Sequence, residues 1–472
     1  MPFAADLRDM RAKTTVESLR PHERAPVRDF TSGSIHRAIW YLAPAMALET
    51  GILNVSELLD VYWVSRLGSG ALAAVTLSIA VRWFVNSLAM GLGIGGLAVV
   101  SRRIGARDGE AADHAAGQTI LLGILISVLL AVTGLLVAEP LLALMGADAK
   151  VLPLGLTYLR ITFLGSFTWV LVYVTNPMIR GAGNARRAMG VLFLTTAVIV
   201  VSEPVLVLGL GPFPKLGVAG SAAAYVLGFG SGLLMQLVIL VRGRANISLR
   251  LRHLRPDLPL MARIVSISLP SAAQMTLRSA SNMVLVGLVG AFGTFATAGY
   301  GLADRFMFVA MVPCFGLGNT SGTLVGQNLG AGKPARAEKC AGWVSAYAVG
   351  YLLTIMTLLF LFARPLIAFF DPTPEVVDIG ATCIRIIAFS LVVDGFGFIL
   401  GRGLDGAGNT LPAAVINLLT LWGLQLPAAI ALSQWLGLGL SGIWWGRAIA
   451  NIVNGLSFSA WFRRGKWKER EV

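Results

Sequence analysis

Charge is what this sequence has least of. Only 13% of its 472 residues are Asp, Glu, Lys or Arg, about half the share found in soluble domains. That shortage excludes a chain that keeps most of its surface in water. Cysteine is nearly absent too: Cys314, Cys340 and Cys383 form no C-x-x-C spacing, which excludes a disulfide framework and a cysteine metal site. They read as small apolar residues. The four histidines are scattered, and His22, His36 and His253 sit in basic polar segments. No His/Cys/carboxylate cluster, Ser/His/Asp set, Walker loop or dinucleotide fingerprint is present, so neither an enzyme nor a bound cofactor is expected. Gly91, Gly93, Gly95 and Gly96 in "GLGIGGLA" follow no strand, and they read as close helix contact or bending. The first thirty residues have no apolar centre, so no cleavable signal peptide is expected.

What the chain has is hydrophobicity: 56% of its residues are hydrophobic and the mean hydropathy is +0.74. Residues 115–138, 216–241 and 341–363 contain no charge, and each is long enough for a membrane helix, which needs about 20 residues. A membrane barrel would alternate apolar and polar residues in segments of about ten. The runs predict twelve spans, near 37–64, 72–100, 114–138, 152–178, 188–211, 217–241, 262–289, 296–325, 341–363, 377–401, 411–433 and 437–462. Most of the 38 Lys and Arg fall in the tails and the loops after even spans, while the loops after odd spans hold Arg66, Lys150, Lys215 and Arg364. Basic loops stay cytoplasmic. Both termini are therefore expected in the cytoplasm of a multi-pass plasma (bacterial inner) membrane protein. The net charge of +14 follows from this topology and suits contact with anionic lipid, and no nucleic-acid partner is expected.

The two halves repeat. "SRRIGARDGEAADHAAG" (101–117) aligns with "GQNLGAGKPARAEKCAG" (326–342), and "GAGN" recurs at 181–184 and 406–409, both at an offset of 225 residues. Gly68 and Gly293, and Arg160 and Arg385, share that offset, while Pro44 and Pro270, and "LGVAG" and "LGLSG", slip slightly. The expected fold is an all-α polytopic membrane protein of twelve transmembrane helices. Its two six-helix lobes are related by a pseudo-two-fold axis along the membrane normal. Such proteins commonly carry a substrate between lobes that rock. The division is a cytoplasmic N-terminal tail (1–36), an N-terminal lobe (37–241), an inter-lobe linker (242–260), a C-terminal lobe (261–463) and a cytoplasmic C-terminal tail (464–472). In the linker, Ile247, Leu249, Leu251 and Leu254 suggest contact with the membrane surface; a solvated connector fits equally well.

These motifs, in this order, resemble the MATE (multidrug and toxic compound extrusion) transporters. The best matches are "VGQNLGAGKPARAEK" (325–339) and "VSRRIGARDGEAAD" (100–113), then "LDVYWVSRLGSGALAAVTL" (59–77), "RGAGNARRAM" (180–189) and "EPVLVLGLGPFPKLGVAGSAAAYVLG" (203–228). The resemblance runs from about residue 37 to 462. It implies a secondary active exporter of organic, often cationic and amphipathic, compounds in exchange for inward H⁺ or, less favoured, Na⁺. It implies small organic substrates and membrane lipids as partners, a monomer, and no cofactor beyond the coupling ion. An alternative is a flippase for a lipid-linked precursor in a related fold. That would call for a cationic cavity, and the arginines within the spans (Arg82, Arg160, Arg278, Arg305, Arg385 and Arg447) leave it open.

The first span carries Glu49, Glu57 and Asp60, where each ionised carboxylate is costly. At about 100° per residue, Ser56, Asp60 and Glu57 lie near −20°, 20° and 80° from Glu49. One face holds them all, and that face should meet a cavity or another helix. Asp60 and Glu203 match two acidic positions used by one branch of the family. The ion-coupling candidates are thus Asp60, Glu203, Glu57 and Glu49, competing with a role as partners of buried arginines. Asp394 resembles an acid used by another branch, and its repeat partner is Trp169. That branch's seventh-span glutamate has no match here, where Gln274 and Arg278 stand. Asp394, Trp169, Gln274 and Tyr173 are the substrate-binding candidates, with Phe398 and Trp40 weaker aromatic ones. Asp405 reads as structural, and Asp304 with Arg305 as a buried polar pair. The family's N-lobe cation site adds an Asn and a Thr; Ile199 and Tyr225 stand there, which favours H⁺.

Overall fold

The computed structural model describes residues 29–470 and Val472. Most of the N-terminal tail, His22 included, lies outside the described residues. The chain is a helical bundle, as an apolar chain must be if its backbone N–H and C=O groups are to be satisfied without water. The first half holds α1 (Ile35–Ser65), α2 (Ser69–Gly105), α3 (Gly109–Leu144), α4 (Val151–Leu164), α5 (Ser166–Gly181), α6 (Ala185–Leu208) and α7 (Val218–Val241). The second holds α8 (Leu258–Gly290), α9 (Thr294–Gly330), α10 (Pro334–Leu361), α11 (Ala363–Phe370), α12 (Pro374–Gly406), α13 (Thr410–Trp435, with two π-helical stretches) and α14 (Leu440–Arg463). Local chemistry sets the starts. Asp108 and Asp257 accept hydrogen bonds from Ala111 N and Leu260 N, and Pro334 and Pro374 stand in the first turn, where no N–H is needed.

Among the described residues, nine helices are long and apolar enough to cross a membrane, and the α4/α5 pair, bent by 55°, makes a tenth. The remaining two long helices, α8 and α14, span 33 and 24 residues but are more polar. The bend follows Gly165, where a Cβ would press on Val226. A tilted pair thus forms the fourth span that the sequence predicts near 152–178.

The repeat is visible in contacts. The α1–α2 and α8–α9 turns both close through a glycine with φ near 100°, Gly68 at 105° and Gly293 at 101°, a conformation that only glycine adopts cheaply. Across the lobes, Gly91 of α2 packs on Ala272 of α8, and Gly316 of α9 packs on Ala47 of α1. All four residues sit at the 225-residue offset. A Cβ on Gly91 would lie 2.6 Å from that of Ala272, so "GLGIGGLA" serves close helix approach. The first helix of each lobe also reaches into the other. Ala38, Ile39, Leu42 and Met46 of α1 join the core of α9–α14, while Ile264 and Ile267 of α8 join the core of α2–α7.

The inter-lobe connection, read either as a membrane-surface segment or as a solvated connector, packs on the first lobe. Ile247 is fully buried in the first lobe's core, and only Leu251 of the four apolar residues is strongly exposed. The α3 side chain of Gln118 explains the docking, since its amide nitrogen donates to the carbonyls of His253 and Arg255, and its oxygen accepts from Asp257 N. The three cysteines are buried and unpaired. Large apolar side chains such as Leu125, Val128, Leu129, Val132 and Leu136 of α3 face outward, as a lipid-facing belt requires.

Candidate functional site

A cavity of about 310 Å³ lies between the halves, lined by α1, α2, α5, α6 and α7 on one side and by Met275, Phe308, Phe315, Asn319 and Arg402 on the other. Glu49, Ser56, Glu57 and Asp60 all face it, as do Thr50, Leu53 and Asn54. The polar face read from helical periodicity is therefore the cavity-facing side of α1.

Glu49 is matched. Glu49 Oε1 accepts hydrogen bonds from Asn176 Nδ2, at 2.8 Å, and from the Arg180 guanidinium, with which it forms an ion pair. Arg180 was not among the arginines within spans that the sequence offered as partners, because it stands at the end of the fourth span. Its place in "RGAGN" was the available signal: the repeat puts Asp405 at the same position, and Asp405 pairs with Arg402 at 3.3 Å.

The other carboxyls share a single cation. Asp60 Oδ1 accepts a 2.5 Å hydrogen bond from Ser221 Oγ of α7. Glu203 of α6 lies beside Asp60. Glu203 is 1% exposed, and neither of its carboxyl oxygens has a hydrogen-bond donor. Glu57 lies 3.6 Å from Arg82 Nη2. Arg82 is itself buried: its guanidinium stacks 4.0 Å from the Tyr225 ring and donates to Tyr158 Oη at 3.3 Å. Three carboxyls thus face one arginine. Leucine, isoleucine and aromatic side chains that line the cavity enclose them. Arg82 was named from sequence; Ser221 and Tyr158 were not, since lone hydroxyl residues in apolar spans carry no pattern.

Tyr173 lines the cavity and packs on Phe229. Three other substrate-binding candidates do not line it. Trp169 is fully buried, its indole N–H donating to Thr162 O at 3.2 Å. Asp394 is buried against Arg278 at 3.5 Å. Gln274 is half-buried beside the cavity-lining Met275. Of the weaker aromatic candidates, Trp40 is 66% exposed and packs on Tyr347, whereas Phe398 packs on Phe315 and under Arg402. Asp304 does not pair with Arg305, which is exposed; its partner is Arg447, at 2.8 Å. Adjacent residues on a helix point about 100° apart, so Asp304 and Arg305 could not both face inward. Arg160 and Arg385, repeat partners, are also exposed.

One end of the cavity is closed by a symmetric seal. Arg102 Nη2 donates to Ala407 O at 2.8 Å, and Gln327 Nε2 donates to Gly181 O at 2.7 Å. Arg102 and Gln327 are repeat partners, each reaching into the other half's "GAGN" turn. Gly105 lies directly on the Gln327 carbonyl and Gly330 on that of Arg102, with no room for a side chain at either. Residues 29–33 strap the same end. Lys333 Nζ and Arg336 Nη2 donate to Thr31 O and to Ser32 and Gly33 O. Hydrogen bonds from Thr31, then Ser32, with Arg107 nearby, hold the Asp29 carboxyl down at about 2.

The family model described as MatE matches residues 45–205 and 270–430. The chain is 26% identical over 446 residues to the probable multidrug resistance protein YoeA of Bacillus subtilis, covering 93% of this chain and 96% of that protein. It is 27% identical over 416 residues to a FAD transporter of Shewanella oneidensis, covering 86% and 90%. It superposes with a TM-score of 0.86, at 26% identity and 95% and 100% coverage, on a structure described as the outward-facing conformation of a multidrug resistance MATE family transporter of the MOP superfamily.

Proposed function

This chain belongs to the MATE family of membrane transporters, and from that premise we propose that it exports amphipathic organic compounds in exchange for inward protons. The family is one of transporters, not enzymes. The observation that carries the ion assignment is the cluster of Glu57, Asp60 and Glu203 around Arg82 in the cavity wall. With one permanent cation for three carboxyls, the buried group is electrically balanced only when carboxyls are protonated. A cationic substrate favours the ionised carboxylates and a proton removes them, so the two compete for the same charge. Tyr173, Phe229, Phe308 and Phe315 supply the apolar and aromatic wall such substrates need. Ile199, which also lines the cavity, brings no oxygen for Na⁺.

In this reading the two six-helix lobes rock about the cavity within twelve spans, and both termini and the sealed end face the cytoplasm. The basic loops support this, since Arg102, Arg107, Lys333 and Arg336 all lie at the sealed end. The cavity then opens outward, ready to release drug and take up protons.

Arg402 in the cavity wall supports a second reading, an anionic aromatic substrate, and the FAD transporter among the relatives is compatible with it. Proteoliposomes under ΔpH or ΔNa⁺ alone, loaded with a cationic dye or a flavin nucleotide, separate the readings. Dye efflux driven by ΔpH and lost in Asp60→Asn is the expected result. Efflux driven only by ΔNa⁺ would sink the proton assignment.

A further inference from the structure

We infer that Arg82 is an ion-specificity residue: its guanidinium stands where a metal cation would sit among Glu57, Asp60 and Glu203, and so excludes Na⁺ from this lobe. The inference rests on reading that cluster as the coupling site. Its evidence is geometric. Arg82 is 3% exposed, 3.6 Å from Glu57, and interacts with Asp60 and Glu203. The groups around it come from every helix packed there: Glu57 and Asp60 from α1, Tyr158 from α4, Tyr173 from α5, Glu203 from α6, and Ser221 and Tyr225 from α7. No second cation lines this end of the cavity among the described residues.

Arginine suits the role better than lysine. It does not lose its proton in proteins, and its planar face fits the Tyr225 ring 4.0 Å away. Sodium would need several oxygens converging on one point, beside a fixed positive charge. A proton needs one oxygen, and it neutralises a carboxylate without approaching the guanidinium. Glu203, buried and without a donor on either oxygen, is the acceptor left open by this arrangement. The same arginine thus admits the proton and repels the metal.

The test is sodium binding to purified full-length protein in detergent, read by melting temperature and by radiosodium equilibrium binding, with choline replacing sodium at constant ionic strength. Wild type and Arg82→Lys are expected to show no sodium-specific response. Arg82→Gln should gain a saturable sodium-dependent rise in melting temperature and bound sodium, both lost in Arg82→Gln/Asp60→Asn. Sodium binding by the wild type would overturn the inference without any variant, and so would a monodisperse Arg82→Gln that ignores sodium. ΔpH-driven efflux by wild-type proteoliposomes is scored separately. If that fails while the sodium pattern holds, the proton reading falls and the role of Arg82 stands.

Discussion

The two lobes share a scaffold and differ in how they balance charge. In the C-terminal lobe the half-buried Asp304 and the buried Asp394 and Asp405 each have their own arginine: Arg447, Arg278 and Arg402. In the N-terminal lobe Glu49 has Arg180, but Glu57, Asp60 and Glu203 share Arg82. A balanced pair gains nothing by taking a proton, because protonation would strand its arginine. In the proposed mechanism, that surplus of carboxyls is what makes one of the two similar bundles responsive to protons.

The largest expected difference is in coupling. Asp60→Asn and Glu203→Gln should each reduce ΔpH-driven efflux in proteoliposomes to near background, while Asp394→Asn keeps most of it. Substrate affinity of the wild type should fall as the external pH falls, since protons remove the charge that holds a cation. Asp60→Asn should flatten that dependence. Equal losses from Asp60→Asn and Asp394→Asn would erase the distinction between the lobes.

Next is stability. Removing one partner of a buried pair strands the other, at about 3–5 kcal/mol when both are enclosed and less for a part-exposed acid such as Asp304. Arg447→Met should therefore lower the melting temperature, and adding Asp304→Leu should restore most of it. Arg82→Met should cost less, because the carboxyls around it can take up protons instead. If Arg82→Met proves the more damaging in thermal unfolding, the surplus carboxyls are structural.

Much of this comparison was legible in the sequence. The 225-residue offset that aligns Gly68 with Gly293 and the two "GAGN" turns also aligns Gly91 with Gly316 and Arg102 with Gln327, the contacts that join the lobes. Helical periodicity placed Glu49, Ser56, Glu57 and Asp60 on one face because a regular helix preserves angular order. Partner choice was not legible. Arg180 meets Glu49 across 131 positions, and Arg447 meets Asp304 across 143, so packing between helices decides both. The bend at Gly165 was also hidden, since one glycine in an apolar run is ambiguous until Val226 is seen against it. Trp169 looked functional through its acidic repeat partner, yet the bend directs its indole to Thr162 and the lobe interior.

A smaller effect tests the seal, where the lobes are most alike. Arg102→Ala and Gln327→Ala each remove one cross-lobe hydrogen bond, worth about 0.5–1.5 kcal/mol. Each should shift the population toward opening at that end by roughly two- to tenfold, read by electron–electron distance measurements between spin labels on the α2–α3 and α9–α10 turns. Comparable shifts would mark the two bonds as true equivalents. A far larger shift for Arg102→Ala would mean that charge, not symmetry, holds the seal.

The smallest effect separates the aromatic residues. Tyr173 lines the cavity, whereas Trp169, four residues earlier and one turn away, is sealed in the core. Tyr173→Leu should weaken cationic dye binding by about 0.5–1 kcal/mol, roughly two- to fivefold, with little change in melting temperature. Trp169→Leu should do the reverse, leaving a cavity and an unbonded Thr162 carbonyl while dye affinity stays near wild type. The pair tests the lobe comparison at its finest grain. Trp169 and Asp394 occupy equivalent positions, and neither lines the cavity: one is buried in packing and the other in an ion pair. If Trp169→Leu instead weakened dye binding in a protein that melts normally, substrate would have to reach this position, and the equivalence of the two buried sites would fail.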